Sequence, residues 1–130
     1  MKKKYFLLAI ISTFALMSFT SKKDCSILKN NTFTYKNRGS KVIVIYKGDK
    51  HVEYHNKKKY FIKSDIEWIN DCEYYLIIQE STLPNFPFKS GTKMHIKVDK
   101  IRGEKVYLTS TLGGRSWEAR LTKIKQENYE

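Results

Sequence analysis

Several residue types are scarce in this 130-residue chain, which has two prolines, two cysteines and three histidines. Both prolines, Pro84 and Pro87, fall in the single stretch LPNFPFKSG (83–91), and with Gly91 they bar it from a central strand. The cysteines, Cys25 and Cys72, are too far apart for a C-x-x-C redox pair. Acids are in deficit, 13 Asp and Glu against 25 Lys and Arg, a formal net charge of +12. Such a balance favours solubility and encounter with anionic surfaces and says nothing about fold. No apolar run reaches the roughly 20 residues that a membrane-spanning helix needs. The motifs G-x-S-x-G, H-E-x-x-H and G-x-x-x-x-G-K-[ST] are all missing. No stretch shows a convincing helical period, an internal repeat or a second domain.

The first residues read as an export signal. Lys2, Lys3 and Lys4 form a charged head, Phe6 to Ala15 an apolar middle, and small residues follow around Ser18 to Ser21. A cleaved signal peptide over residues 1–20 and one domain over 21–130 is the expectation, with periplasmic or extracellular location. Lys22-Lys23-Asp24 stand where a lipoprotein signal wants small residues, which argues against an anchor on Cys25. Without the three leading lysines the chain keeps 22 basic against 13 acidic side chains, a net +9. In an exported chain the two cysteines are most simply one disulfide, Cys25–Cys72.

The remaining pattern has period two, the signature of half-buried strands. From Val42 the even strand positions carry the inward series Val42, Val44, Tyr46, Val52, Tyr54, Tyr60, Ile62, Ser64, Ile66, Trp68, Cys72, Tyr74, Leu76 and Ile78, apolar throughout but for Ser64. Keeping that parity through a three-residue loop at Lys47-Gly48-Asp49 pairs Val44 with Val52 and Val42 with Tyr54. A loop from His55 to Lys59 then pairs Tyr54 with Tyr60, and one at Ile69-Asn70-Asp71 pairs Ile66 with Tyr74. TFTYK (32–36), KMHIKVDKI (93–101), EKVYLTST (104–111) and SWEARLTKI (116–124) read as further strands. The predicted fold is all-β, an antiparallel up-and-down meander of about eight strands. Closure into a small closed or partly open barrel would remove its edges.

This parity sorts the candidate residues. Asp65, Glu67, Asp71 and Glu73 fall on the outer face or in a turn, with Glu67 opposite Glu73 and a lysine or a cation required to offset the repulsion. HVEYH (51–55) places His51, Glu53 and His55 on one strand face at metal-ligand spacing. The same parity makes that face outward, with Lys63 opposite His51, so no metal site is assigned. NKKK (56–59) is a basic turn suited to an anionic partner. Tyr46, Tyr54, Tyr60, Trp68 and Tyr74 face inward together and are the candidate ligand-binding residues if the barrel is hollow. Exposed acids make poor general acids, so no catalytic residue and no cofactor is expected.

KYFIKSDIEWINDCEYYL (59–76), PNFPFKSG (84–91) and GGRSWEARL (113–121) resemble a group of small exported bacterial β proteins with no established activity. Some members of that group carry a DNA topoisomerase IV label. This chain is far too short for that enzyme and has no ATP-binding motif. The meander also resembles lipocalin-like barrels in architecture, though TFTYK lacks the G-x-W that lipocalins carry near their first strand. Neither resemblance supplies a function; the inward aromatics lead to the expectation of a non-enzymatic envelope protein that binds a small apolar or amphipathic ligand. The alternative is a module that docks an anionic surface or protein through basic loops. A nucleic-acid partner is not expected, because the aromatics are assigned to the core.

Overall fold

A computed structural model describes residues 23–125 of the chain; the leader expected over 1–20 lies outside them. Eight antiparallel strands follow one another in order: β1 (Thr32–Asn37), β2 (Ser40–Lys47), β3 (Lys50–His55), β4 (Tyr60–Asn70), β5 (Glu73–Ser81), β6 (Lys93–Arg102), β7 (Lys105–Leu112) and β8 (Arg115–Ile124). Each pairs with its neighbour in sequence, and β8 returns to β1, so the meander closes into a barrel. Closure satisfies backbone groups that an open sheet would leave on two edges.

One end is plugged. A 3₁₀ helix, Cys25–Leu28, lies across the end where β1 begins and is capped by the Asp24 carboxylate on the Ser26 amide. Leu28 and Cys25 are buried in the core with Phe33, Tyr46, Tyr74, Val98, Val106 and Leu121. The Cys25–Cys72 disulfide ties this plug to the β4–β5 turn across a separation of 47 residues. Closing a loop of that length stabilises the fold by about 4 kcal/mol in the chain-entropy account. Trp68 packs against Tyr74 beside the bridge, with Lys29 over its indole and paired to Asp71. The far end carries the β1–β2, β3–β4 and β7–β8 turns and the connector 82–92.

The expected parity holds on β2, β4, β5, β6 and β7, where Val42, Val44, Tyr46, Ile62, Ile66, Tyr74, Leu76, Ile78, Met94, Ile96, Val98, Val106 and Leu108 are buried. It fails on β3. The β2–β3 turn has two residues, Gly48 and Asp49, because Lys47 pairs with Lys50. Gly48 takes φ +61°, the positive value that two-residue hairpins of the primed kind require. Tyr46 therefore lies opposite His51 and Val44 opposite Glu53. The four-residue turn 56–59 restores the phase, placing His55 opposite Tyr60 and Glu53 opposite Ile62. A one-residue change in a turn exchanges the two faces of a strand. Val52 and Tyr54 accordingly sit outside. There Tyr54 pairs with Ile43 and Phe61, and Lys58 and Lys63 hold their ammonium groups over the Tyr54 and Phe61 rings.

The acid-rich stretch 65–76 is a hairpin with bulges. Ile66 pairs with Leu76 and Trp68 with Tyr74, two residues away from the expected register but on the same face. Glu67 lies opposite Tyr75 rather than Glu73. Lys93 reaches Glu67 at 3.3 Å, and Glu73 takes a 2.6 Å contact from His95. The repulsion expected between the two acids is absent because the shifted register does not set them opposite one another, and each has its own cationic or imidazole neighbour.

Candidate functional site: a cavity with one polar wall

The barrel is not filled. A cavity of about 1000 Å³ runs from the aromatic layer above the plug to the open end. Its walls differ in chemistry. From β5, β6 and β7 come Leu76, Ile78, Met94, Ile96 and Leu108, with Ser110 above them. From β1, β3 and β4 come Tyr35, His51, Glu53, His55 and Ser64. The polar wall exists because the short β2–β3 turn directs HVEYH inward.

Glu53 is its centre. The Tyr35 hydroxyl donates to Glu53 Oε1 at 2.8 Å, and His55 Nε2 lies 3.1 Å from the same oxygen. Among the described residues no donor reaches Oε2. Burial alone would push this carboxyl up. The His55 hydrogen bond, the neighbouring His51 ring and the Tyr35 hydroxyl outweigh burial and hold it below its usual range. Burial pushes the His51 imidazole down, so that it stays neutral. Its Nδ1 is buried with no hydrogen-bond partner. Burial, reinforced by the Glu53 charge, pushes the Tyr35 hydroxyl well above its ordinary range.

Below this wall a second polar pair closes the cavity floor. Tyr46 and Tyr74 share one hydrogen bond at 2.5 Å, both fully buried. Phe33 and His51 meet the Tyr46 ring edge-on, at centroid distances of 5.6 and 4.8 Å. Burial raises both hydroxyls above the tyrosine range, Tyr74 also through its neighbour Tyr46.

The entrance lies partly in the side of the barrel. β1 and β8 pair only over Thr32–Thr34 with Thr122–Ile124. Beyond that point, residues from both faces of each strand line the cavity: Tyr35, Lys36 and Asn37 on one side, Trp117 to Leu121 on the other. A strand contributes both faces to one cavity only where the wall is parted beside it. Lys36, Lys41, Glu118 and Arg120 stand at this seam. Phe86 and Phe88 from the connector lean over the open end, and Phe88 stacks on the exposed Trp117 with planes 5° apart.

Of the five aromatics expected to line a pocket, Tyr46 and Tyr74 do so. Trp68 faces inward but packs against Tyr74 at the plugged end. Tyr60 sits at the open rim under Lys59 and is not part of the lining. Tyr54 is on the outer surface, as the two-residue turn dictates. Ser64 lies inward as its parity predicts; not foreseen as cavity residues were Tyr35, His51, Glu53, His55 and Ser110. For the β3 residues a signal was present: Gly48-Asp49 is a good two-residue hairpin turn, and reading it so reverses the strand.

Among the described residues, no group of three or more His, Cys, Asp or Glu is placed to hold a metal ion. Nor, among them, is any helix long and apolar enough to cross a membrane. No family model, curated protein or solved structure matches the chain.

Proposed function

We propose that this is an exported binding protein of the cell envelope, which holds a small amphipathic ligand inside its barrel. The observation that carries this reading is the cavity itself, large enough for a small molecule and divided into one apolar and one polar wall. The Cys25–Cys72 bridge suits an oxidising compartment, in line with the leader read from residues 1–20.

Binding is favoured over catalysis by the direction in which the interior groups are displaced. Glu53 is moved down while Tyr35, Tyr46 and Tyr74 are moved up. An acid–base catalyst near neutrality wants its carboxyl raised or its hydroxyl lowered. Here those shifts run the other way, as in a site built to present fixed donors and acceptors.

The test is titration with an uncharged, environment-sensitive naphthalene dye, alongside native mass spectrometry of protein taken gently from its own host. One saturable dye site per chain, lost in Ser110→Trp, supports the reading; so does extra mass that disappears on denaturation. A dye that fails to bind, or binds equally well with Trp at 110, overturns it. The reading left standing would then be a surface module that meets an anionic partner through the exposed turn 56–59.

A further inference from the structure

The polar wall of the cavity is incomplete. Glu53 receives both of its donors on Oε1, from Tyr35 and His55, and among the described residues Oε2 receives none. On the same strand face, one step nearer the plug, His51 Nδ1 is buried and has no partner. Both are acceptor positions without a donor, provided the neutral His51 carries its proton on Nε2, but only the His51 nitrogen is cut off from solvent. A buried polar group left unpaired is a cost that folding normally avoids. The His51 nitrogen is closed off by its neighbours, whereas Glu53, its side chain 20% exposed, keeps its free oxygen accessible to a group that enters the cavity.

Resting on the ligand-binding reading above, we propose that the ligand is an organic amine, its ammonium seated on Glu53 Oε2 beside His51 and its apolar body against Met94, Ile96 and Leu108. An ammonium supplies up to three N–H donors and a positive charge, which is what a half-buried carboxylate with one bare oxygen lacks. An alcohol fills the donor deficit but not the charge. A carboxylate or phosphate head would bring a like charge against Glu53. Lys36, Lys41 and Arg120 at the seam do not reverse this order. They are exposed, their field is screened within about 8 Å at physiological salt, and Glu118 stands among them. They act on a ligand during entry, whereas Glu53 acts on it once water is excluded.

Three probes of one chain length separate the possibilities: decylammonium and decanoate below their micelle concentrations and decanol below its solubility limit, read by displacement of the naphthalene dye and by calorimetry. Decylammonium should bind about ten- to a hundredfold more tightly than decanol, the range for a hydrogen bond to a charged group, and decanoate more weakly than either. Glu53→Gln, which keeps shape and one acceptor oxygen, should abolish the preference for decylammonium over decanol, bringing the ratio of their affinities close to one. Decanoate binding more tightly than decanol, or an ammonium preference that survives Glu53→Gln, would overturn the assignment. Decanol binding without any ammonium preference would also overturn it and leave the ligand cavity intact. If none of the three binds while the barrel is folded, the cavity reading itself falls and the amine assignment with it. The ranking in the unaltered protein decides the question even if Glu53→Gln fails to fold.

Discussion

The Tyr46–Tyr74 pair offers a sharp test of how the barrel floor is built. Both side chains are buried, and the hydroxyls lie 2.5 Å apart. Phe33, His51 and Trp68 pack against the two rings and prevent either from swinging towards water. Tyr46→Phe removes one oxygen, leaves the volume almost unchanged, and strands the Tyr74 hydroxyl; Tyr74→Phe does the reverse. Each single substitution should cost about 1–3 kcal/mol, the penalty of a buried polar group that has lost its partner. The double substitution removes both hydroxyls together and should return close to the parent, because two phenylalanines fill the same space with nothing left to satisfy. The expected result in a double-mutant cycle is therefore a coupling close in size to the sum of the two single effects and opposite in sign. Urea denaturation reads it directly: with a slope near 2 kcal/mol/M, each single variant loses about 0.5–1.5 M in midpoint and the double variant loses little. Two single effects that simply add in the double variant, within about 0.5 kcal/mol, would refute the reasoning. That outcome would mean water in the cavity reaches the hydroxyls and satisfies each one alone.

Replacing Cys25 and Cys72 together by Ala should lower stability by about 4 kcal/mol, measured by thermal unfolding against the oxidised parent. Stability should fall on acidification in two stages. His51 is held below its ordinary value of 6.5, so its contribution is complete above pH 6.5 and is lost as the pH falls and the folded ring is forced to charge. Glu53 is held below 4.5, so its contribution is complete above that pH and is lost as protonation proceeds. Glu53→Gln should flatten part of the lower stage in urea titrations at successive pH values, the remainder belonging to Asp24 and Glu73. Ser110→Trp should change stability by less than about 1 kcal/mol if the added ring enters empty space, against roughly 1–3 kcal/mol for overpacking a filled core.

Fold class was legible in the sequence because alternation is a strong signal and the loops are short. Strand order followed, since hairpins leave little choice of neighbour. The interior of β3 was not legible from apolar parity. Val52 and Tyr54 are as hydrophobic as the residues of β2, and only the length of one turn decides which face they take. Their burial is recovered outside, against Ile43 and Phe61, so the reversal costs less than their exposure to bare solvent would. The disulfide was readable from cysteine count and the leader, whereas the plug it anchors was not, because four residues of 3₁₀ helix carry no periodicity. A hollow interior has no signature in sequence at all: Met94 and Leu108 look the same whether they meet a side chain or a space.

The seam between β1 and β8 also bears on how the chain reaches this shape. Seven of the eight strand pairings join neighbours in sequence, and only β1 with β8 brings together residues some ninety positions apart. Hairpins form on microsecond timescales, whereas a long-range contact must first overcome the entropy of closing its loop. Ring closure is thus the late event, and it is held by the shortest ladder in the barrel, Thr32–Thr34 on Thr122–Ile124. Amide protons of those residues should exchange with deuterium sooner than those of the β4–β5 hairpin, through openings that part the ring while the ladders of the other hairpins persist. Such breathing widens the existing gap in the wall, so the last step of folding, run backwards, is also a route by which a guest enters.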